Sequence, residues 1–333
     1  MPIILLLLGA LLYVCNFPFA PARASTLRFE RYVELPRSGL LSALDYLAIR
    51  SGHLFVASIS SGAVIDVPID AAGEASAEEL RSFPGKGRAH GIAVAGEHAA
   101  FVTRAGADIV DMFDPTSLTL LHSLSVPAGP DAILADPFSG LVYVASGDAN
   151  LGTVIDARNG RFVGTVHLSG EPEFAVLDPV AHLVYQNLVN LNAFAAISLQ
   201  SREVVASWPL SGCESPSGMA LDAEARQLFV VCSGNSRLAI VSLSSHQVTA
   251  TLPVGRLSDT VGFDATLRRL YVAGGAGELV VMTKADGATY RIADRIQTRF
   301  GSHTIAIDPA THKVYLASSG IIAAPRVLAF SPI

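Results

Sequence analysis

Apolar residues fall along this chain in short runs bounded by Gly, Pro, Asn and Asp, without the spacing of amphipathic helices or the alternation of βαβ units. One run recurs: an apolar strand centred on an aromatic residue, at Phe55, Phe101, Tyr143, Tyr185, Phe229, Tyr271 and Tyr315. Successive spacings are 46, 42, 42, 44, 42 and 44 residues, a period that marks propellers and solenoids. Each unit reads as four strands. A small-apolar strand ends in Asp-Pro or a relative, as at Ala132 to Pro137, and the aromatic strand follows. A Gly-rich turn leads to a third strand such as Gly152 to Asp156. Asn159 and Gly160, which tolerate positive φ, then open the fourth, Phe162 to Leu168. A helical turn is expected only near Ala75 to Leu80, where the first unit carries extra residues.

The seventh unit has three strands and lacks its fourth, whereas Leu27 to Pro36 resembles a fourth strand with no unit before it. The economical arrangement lets this N-terminal strand complete the last blade, which closes the ring and leaves no unpaired inner edge. The expected fold is therefore all-β: a seven-bladed β-propeller of four-stranded blades, one domain over residues 25–333.

Residues 1–24 read as a signal peptide. Pro2 to Val14 is an apolar run of h-region length, and Ala22-Arg23-Ala24 supplies a cleavage site that would make Ser25 the first mature residue. Lipoprotein processing at Cys15 is disfavoured by Leu12, Tyr13 and Val14 before it. No later segment is long and apolar enough to span a bilayer, so no membrane contact is expected after cleavage, and the location is periplasmic or secreted. Half the residues are apolar and 16% charged, which excludes a disordered chain. The net charge of −6, with no run of Lys and Arg, argues against a nucleic-acid partner, although a local basic face could still form in the fold. Once Cys15 leaves with the signal, Cys213 and Cys232 remain as an even pair, which in an exported protein reads as a disulfide; two buried free thiols are the alternative.

Several phrases resemble the YncE-like, YVTN-repeat propellers of bacterial export compartments. The carriers are Asp45 with Tyr46, His90 to Ile92, Pro130 to Ala132, Pro172 to Phe174, Trp208 to Leu210 followed by Cys213, Pro216 to Gly218, Cys232 and Asp259. The resemblance implies a seven-bladed propeller without a firmly assigned activity. The literal Tyr-Val-Thr-Asn phrase is replaced by Tyr143 to Ser146 and its relatives, and Leu44 stands where Trp is expected.

Catalytic signatures are absent: no H-E-x-x-H, G-x-S-x-G, phosphate-binding loop or haem attachment site occurs. Gly274 to Gly277 reads as a turn. The single Trp, Trp208, argues against a Trp-rich quinone-cofactor propeller and is expected to pack between blades. His53, His98, His182 and His312 recur at the turn before the anchor and read as structural or solvated. The informative set lies where each first strand begins. Asp45, His90, Asp131, Glu173, Ser217, Asp259 and His303 precede their anchors by 10, 11 and then 12 residues throughout. In a propeller the first strand is innermost, so these residues should ring one mouth of the channel. Asp45, His90, Asp131 and Glu173 are candidate ligands of a divalent metal ion, and Asp259 and His303 extend the polar site. The same residues could instead cap turns or face water. The leading functional reading is a binding or scaffold protein whose ligand, a small molecule or a protein, enters this mouth. The alternative is a metal-dependent, lactonase-like hydrolase with a cation there.

Overall fold

The computed structural model describes residues 25–50, 52–284 and 289–333; the expected signal peptide, Cys15 included, lies outside them. Seven four-stranded antiparallel sheets form. Blade 1 comprises Leu44–Arg50, His53–Ser58, Val64–Pro68 and Arg81–Phe83. Blades 2 to 6 begin with the inner strands Arg88–Gly96, Pro130–Asp136, Pro172–Asp178, Pro216–Asp222 and Ser258–Asp264. Blade 7 comprises Ser302–Ile307, Val314–Ser318 and Arg326–Pro332, with Leu27–Glu34 as its outer strand. The pairing of Leu27 with Pro332 through Glu34 with Arg326 is the closure expected from the unmatched N-terminal strand.

Burial explains the strand patterns. Seven apolar clusters sit between successive blades, so the second and third strands are covered on both faces and carry uninterrupted apolar runs, as at Leu141–Ser146. The outer strand Glu203–Pro209, wet on one side, alternates exposed and half-buried positions. All seven anchor aromatics are buried. Trp208 lies between blades 4 and 5, stacked on His246 at 3.9 Å. Gly160 takes the left-handed conformation at the Asn159 turn with φ 69°.

The helical turn expected near Ala75 to Leu80 does not form; the one helical piece among the described residues is the 3-10 turn Val189–Leu191. The cause is local. Asp70 Oδ1 accepts from the Ala72 and Glu74 amides at 2.9 and 2.8 Å, and Gly73 turns back with φ 75°. The chain therefore reverses at once and Ala75 pairs with Ile69. This excursion reaches the closure seam. Tyr315 Oη donates to Gly73 O at 2.5 Å, and Lys313 Nζ bridges Glu74 and Glu30 of the closing strand.

The turn histidines are structural. His312 reaches Asp264 of the preceding blade at 2.9 Å, the role that Arg226 plays toward Asp178 and Arg268 toward Asp222. His53 and His98 bind Asp66 and Asp114, and His182 packs edge-on against Phe138.

Candidate functional site: an acidic channel mouth

Each inner strand loses register with its neighbour where it begins. The shifts fall between Leu44 and Leu47, Ala89 and Ile92, Pro130 and Ile133, Pro172 and Ala175, Pro216 and Met219, Ser258 and Thr260, and Ser302 and Thr304. The seven ring residues occupy these bulges, and a bulge re-aims a side chain out of the strand's alternation. It also frees a carbonyl, which the preceding blade satisfies. Thr304 donates to Asp45 O, Thr103 to Asp131 O and Thr260 to His303 O, each at 2.7 Å; Ser217 donates to Asp259 O at 2.9 Å, and Asn187 to Ser217 O. Ser217 is thus a clasp between blades. Gly91 and Gly218 allow this approach: a Cβ on either would collide with the backbone oxygen of Asp131 or Asp259.

Three residues of the expected metal quartet converge. His90 Nδ1 lies 2.6 Å from Asp45 Oδ2 and 3.5 Å from Asp131 Oδ1. One potential ligand atom from each of Asp45, His90 and Asp131 falls within 4.8 Å of the others, a group that does not include Glu173. His90 Nε2 and Asp131 Oδ1 are buried without a hydrogen-bond partner. His303 turns its Nδ1 to Gly301 O at 3.0 Å.

Glu173 and Asp259 belong to the same field. Burial, then the charges of Asp131, Asp259, Asp45 and Glu171, push the Glu173 carboxyl up to about 8. Burial and Asp45 raise Asp131 to about 7 against the opposing pull of His90, with Asp259 adding to the rise. Asp259 is raised to about 6 by burial and Asp45, with His303 opposing. Burial alone would lower the imidazole of His90, but its bond to Asp45 and the charges of Asp45 and Asp131 outweigh this and raise it. At neutral pH the mouth therefore stores protons on Glu173 and, in part, on Asp131.

The aromatic floor of the mouth was not among the expected site residues. Tyr46 and Phe174, each following a ring acid, stack at 5.5 Å although they belong to blades 1 and 4. Burial and the carboxylates of Asp131, Glu173, Asp45 and Asp259 raise the Tyr46 phenol well above its usual value. A signal was present: the residues after the seven ring positions are Tyr46, Gly91, Ala132, Phe174, Gly218, Thr260 and Thr304, two large aromatics among five small residues.

A shallow groove on the opposite face, lined by Arg50, His53, Phe55, Glu97, His98, Pro115 and Thr116, contains none of the ring residues. Its two histidines are paired with Asp66 and Asp114.

Cys213 and Cys232 form a disulfide with Cα atoms 5.0 Å apart, joining the loop into blade 5 to the end of its second strand. A disulfide suits an oxidising, extracytoplasmic environment. Among the described residues no helix is long and apolar enough to cross a membrane.

No family model and no curated protein matches the chain. Among solved structures, hydrazine synthase of Kuenenia stuttgartiensis superposes with a TM-score of 0.72 at 15% identity, covering 86% of this chain and 94% of that one. Virginiamycin B lyase from Staphylococcus aureus superposes with a TM-score of 0.74 at 11% identity, covering 92% of this chain and 100% of that one. At these identities the likeness is one of fold, and the class it defines is the seven-bladed β-propeller.

Proposed function

We propose that the protein is an exported binding propeller whose channel mouth holds a divalent cation on Asp45, His90 and Asp131, presenting it to a ligand above the Tyr46–Phe174 floor. The carrying observation is the pair of buried, unpartnered atoms His90 Nε2 and Asp131 Oδ1 within that triad. A buried polar atom without a partner is costly, and a cation with further positions open to water or ligand would satisfy both. The donor set, one imidazole and two carboxylates, suits Mn²⁺ or Zn²⁺. Disulfide and leader-like N-terminus support export.

Protons compete with the cation. Asp131, raised to about 7, must deprotonate to ligate, and Glu173, raised to about 8, adds attractive charge only when it ionises. Affinity should therefore rise with pH through this range and release protons. Calorimetry of chelator-stripped protein with Mn²⁺ and Zn²⁺ at pH 6 and pH 8 tests this. Tighter binding at pH 8, and loss of at least about tenfold in affinity for Asp131→Asn with an unchanged melting curve, are expected. Absence of binding at pH 8, or an Asp131→Asn protein that binds equally well, would overturn the reading. Chelator-sensitive lactone hydrolysis by the same sample would shift it to the hydrolase.

A further inference from the structure

The face that carries the mouth is unevenly built. Successive loops on it are laced by backbone hydrogen bonds. Gly275 N donates to Leu257 O at 2.8 Å, Gly301 N to Gly275 O at 2.7 Å, Ser319 N to Gly301 O at 3.0 Å and Ile322 N to Leu40 O at 2.7 Å. Leu41 pairs with Ile321 in a short two-stranded bridge that extends the seam. The arc so traced, over blades 6, 7 and 1, displays Leu257, Phe300, Ile321, Ile322, Leu40 and Leu41, each between 57% and 77% exposed. Such exposure means that the side chains protrude as separate loop tips and do not line a groove.

Two of these tips are held out against local steric preference. Leu257 has φ 55° and Ile322 has φ 65°. A left-handed backbone is disfavoured for a side-chain-bearing residue and most of all for a β-branched one. At Leu257 the repeat itself imposes this backbone: Gly129, Ser215 and Gly301, likewise two residues before a ring position, also have positive φ.

The same loops carry the cations Arg37, Arg256 and Arg299, and the connection into blade 2, outside the apolar arc, adds Lys86 and Arg88. Among the described residues none forms an ion pair; Arg37 and Arg299 bond only to the backbone carbonyls of Gly39 and Ala324. Across the ring, the mouth-face loops of blades 3, 4 and 5 carry the exposed acids Asp148, Glu171 and Glu214, with one exposed cation, Arg237, and one exposed apolar residue, Leu191. The face is thus polar in the plane of the ring, with an apolar, basic crescent opposite an acidic one.

We propose that the crescent docks on the surface of an anionic lipid bilayer, with Phe300, Ile322 and Leu40 entering the boundary of headgroup and acyl chain and the arginines meeting phosphates. Protruding apolar tips ringed by unpaired cations are complementary to a soft, anionic, apolar-cored surface. The acidic sector is repelled, which tilts the ring so that the mouth stays open to solvent. The chain lies on the membrane; it does not cross it. This docking is independent of cation binding at the mouth.

Vesicle co-sedimentation with chelator present throughout tests the proposal, with the same N-terminus in every variant. The protein should pellet with vesicles of phosphatidylglycerol and phosphatidylcholine, less with phosphatidylcholine alone, and less at high salt. Phe300→Ser with Ile322→Ser should lower the partition by at least about tenfold. Arg256→Glu with Arg299→Glu should abolish the salt-sensitive part. Leu120→Ser with Phe162→Ser, exposed on outer strands away from the crescent, should change neither. Protein left in the supernatant with anionic vesicles, or crescent variants that pellet as the parent does, would refute it. So would a dimer or protein complex, without vesicle binding, that the crescent substitutions dissolve, since the face would then be a protein interface.

Discussion

Lys313 is the most informative residue of the seam that closes the ring. Its side chain is 8% exposed and its Nζ lies 2.6 Å from Glu30 of the closing strand while also contacting Glu74 of the blade 1 excursion; Arg31 reaches Glu74 from outside at 2.8 Å. Lys313→Met keeps the aliphatic stem and removes the charge, leaving Glu30 with only the exposed Arg28 and Ser331. Burial would raise the Glu30 carboxyl, but Lys313, Ser331 and Arg28 hold it down at about 2 from 4.5. Losing all of that shift would correspond to roughly 3 kcal/mol, and Lys313→Met removes the lysine's share of it while Arg28 and Ser331 stay in place. Glu30 is only half-buried, so solvent screening brings the expected loss to about 2 kcal/mol. The sign follows from the depressed value. The stabilisation is complete above about pH 4.5 and is lost as pH falls through about 2, so parent and variant should differ fully at pH 7 and converge in acid. Urea denaturation read as midpoints across that pH range measures it. Adding Glu30→Gln should recover part of the loss, because the carboxylate left without Lys313 is then gone. Equal midpoints at pH 7, or a difference that does not change with pH, would refute this account of the seam.

Replacing Cys213 and Cys232 together by Ala should cost about 3 kcal/mol for the 19-residue separation they close, and the unreduced, denatured parent should show no free thiol other than Cys15 in a chain that keeps it. Gly218→Ala should destabilise by about 1–3 kcal/mol, because its Cβ meets the backbone of Asp259 and Thr260 and not a yielding side chain; an unchanged melting temperature would show that the blades can part there.

The repeat was legible because each blade must bury both faces of its middle strands, so the Phe and Tyr anchors return at a nearly constant period. The unmatched strand at Leu27 carried the closure because its partner exists only in the ring, and the two cysteines carried the disulfide because they remain as an even pair within one blade. Repeat register also placed the ring acids, since a bulge recurs at the same place in every blade. Register does not say how far a side chain reaches across the channel. Asp45, His90 and Asp131 therefore converge while Glu173 acts through its field and His303 bends back to Gly301. The stacking of Tyr46 on Phe174 joins blades that are not neighbours, which no local pattern encodes. A net charge of −6 likewise conceals a basic sector, because closure gathers Arg37, Arg256 and Arg299 from distant parts of the chain.

The outer strand of blade 7 also sets an order of events. Among the strands of the ring Leu27–Glu34 is synthesised before all the others, yet the strand it needs, Arg326–Pro332, follows them all. During synthesis the early strand has no neighbour, and the ring cannot lock until Arg326–Pro332 has emerged. Such a long-range pairing is slow and leaves an edge open to aggregation meanwhile. It also couples the two ends: trimming the last strand would evict the first. Because Ile333 N already bonds to Thr26 O at 3.0 Å, the chain could be joined at these two positions and reopened between two other blades, turning the seam into an ordinary sheet and moving the point of closure elsewhere in the ring.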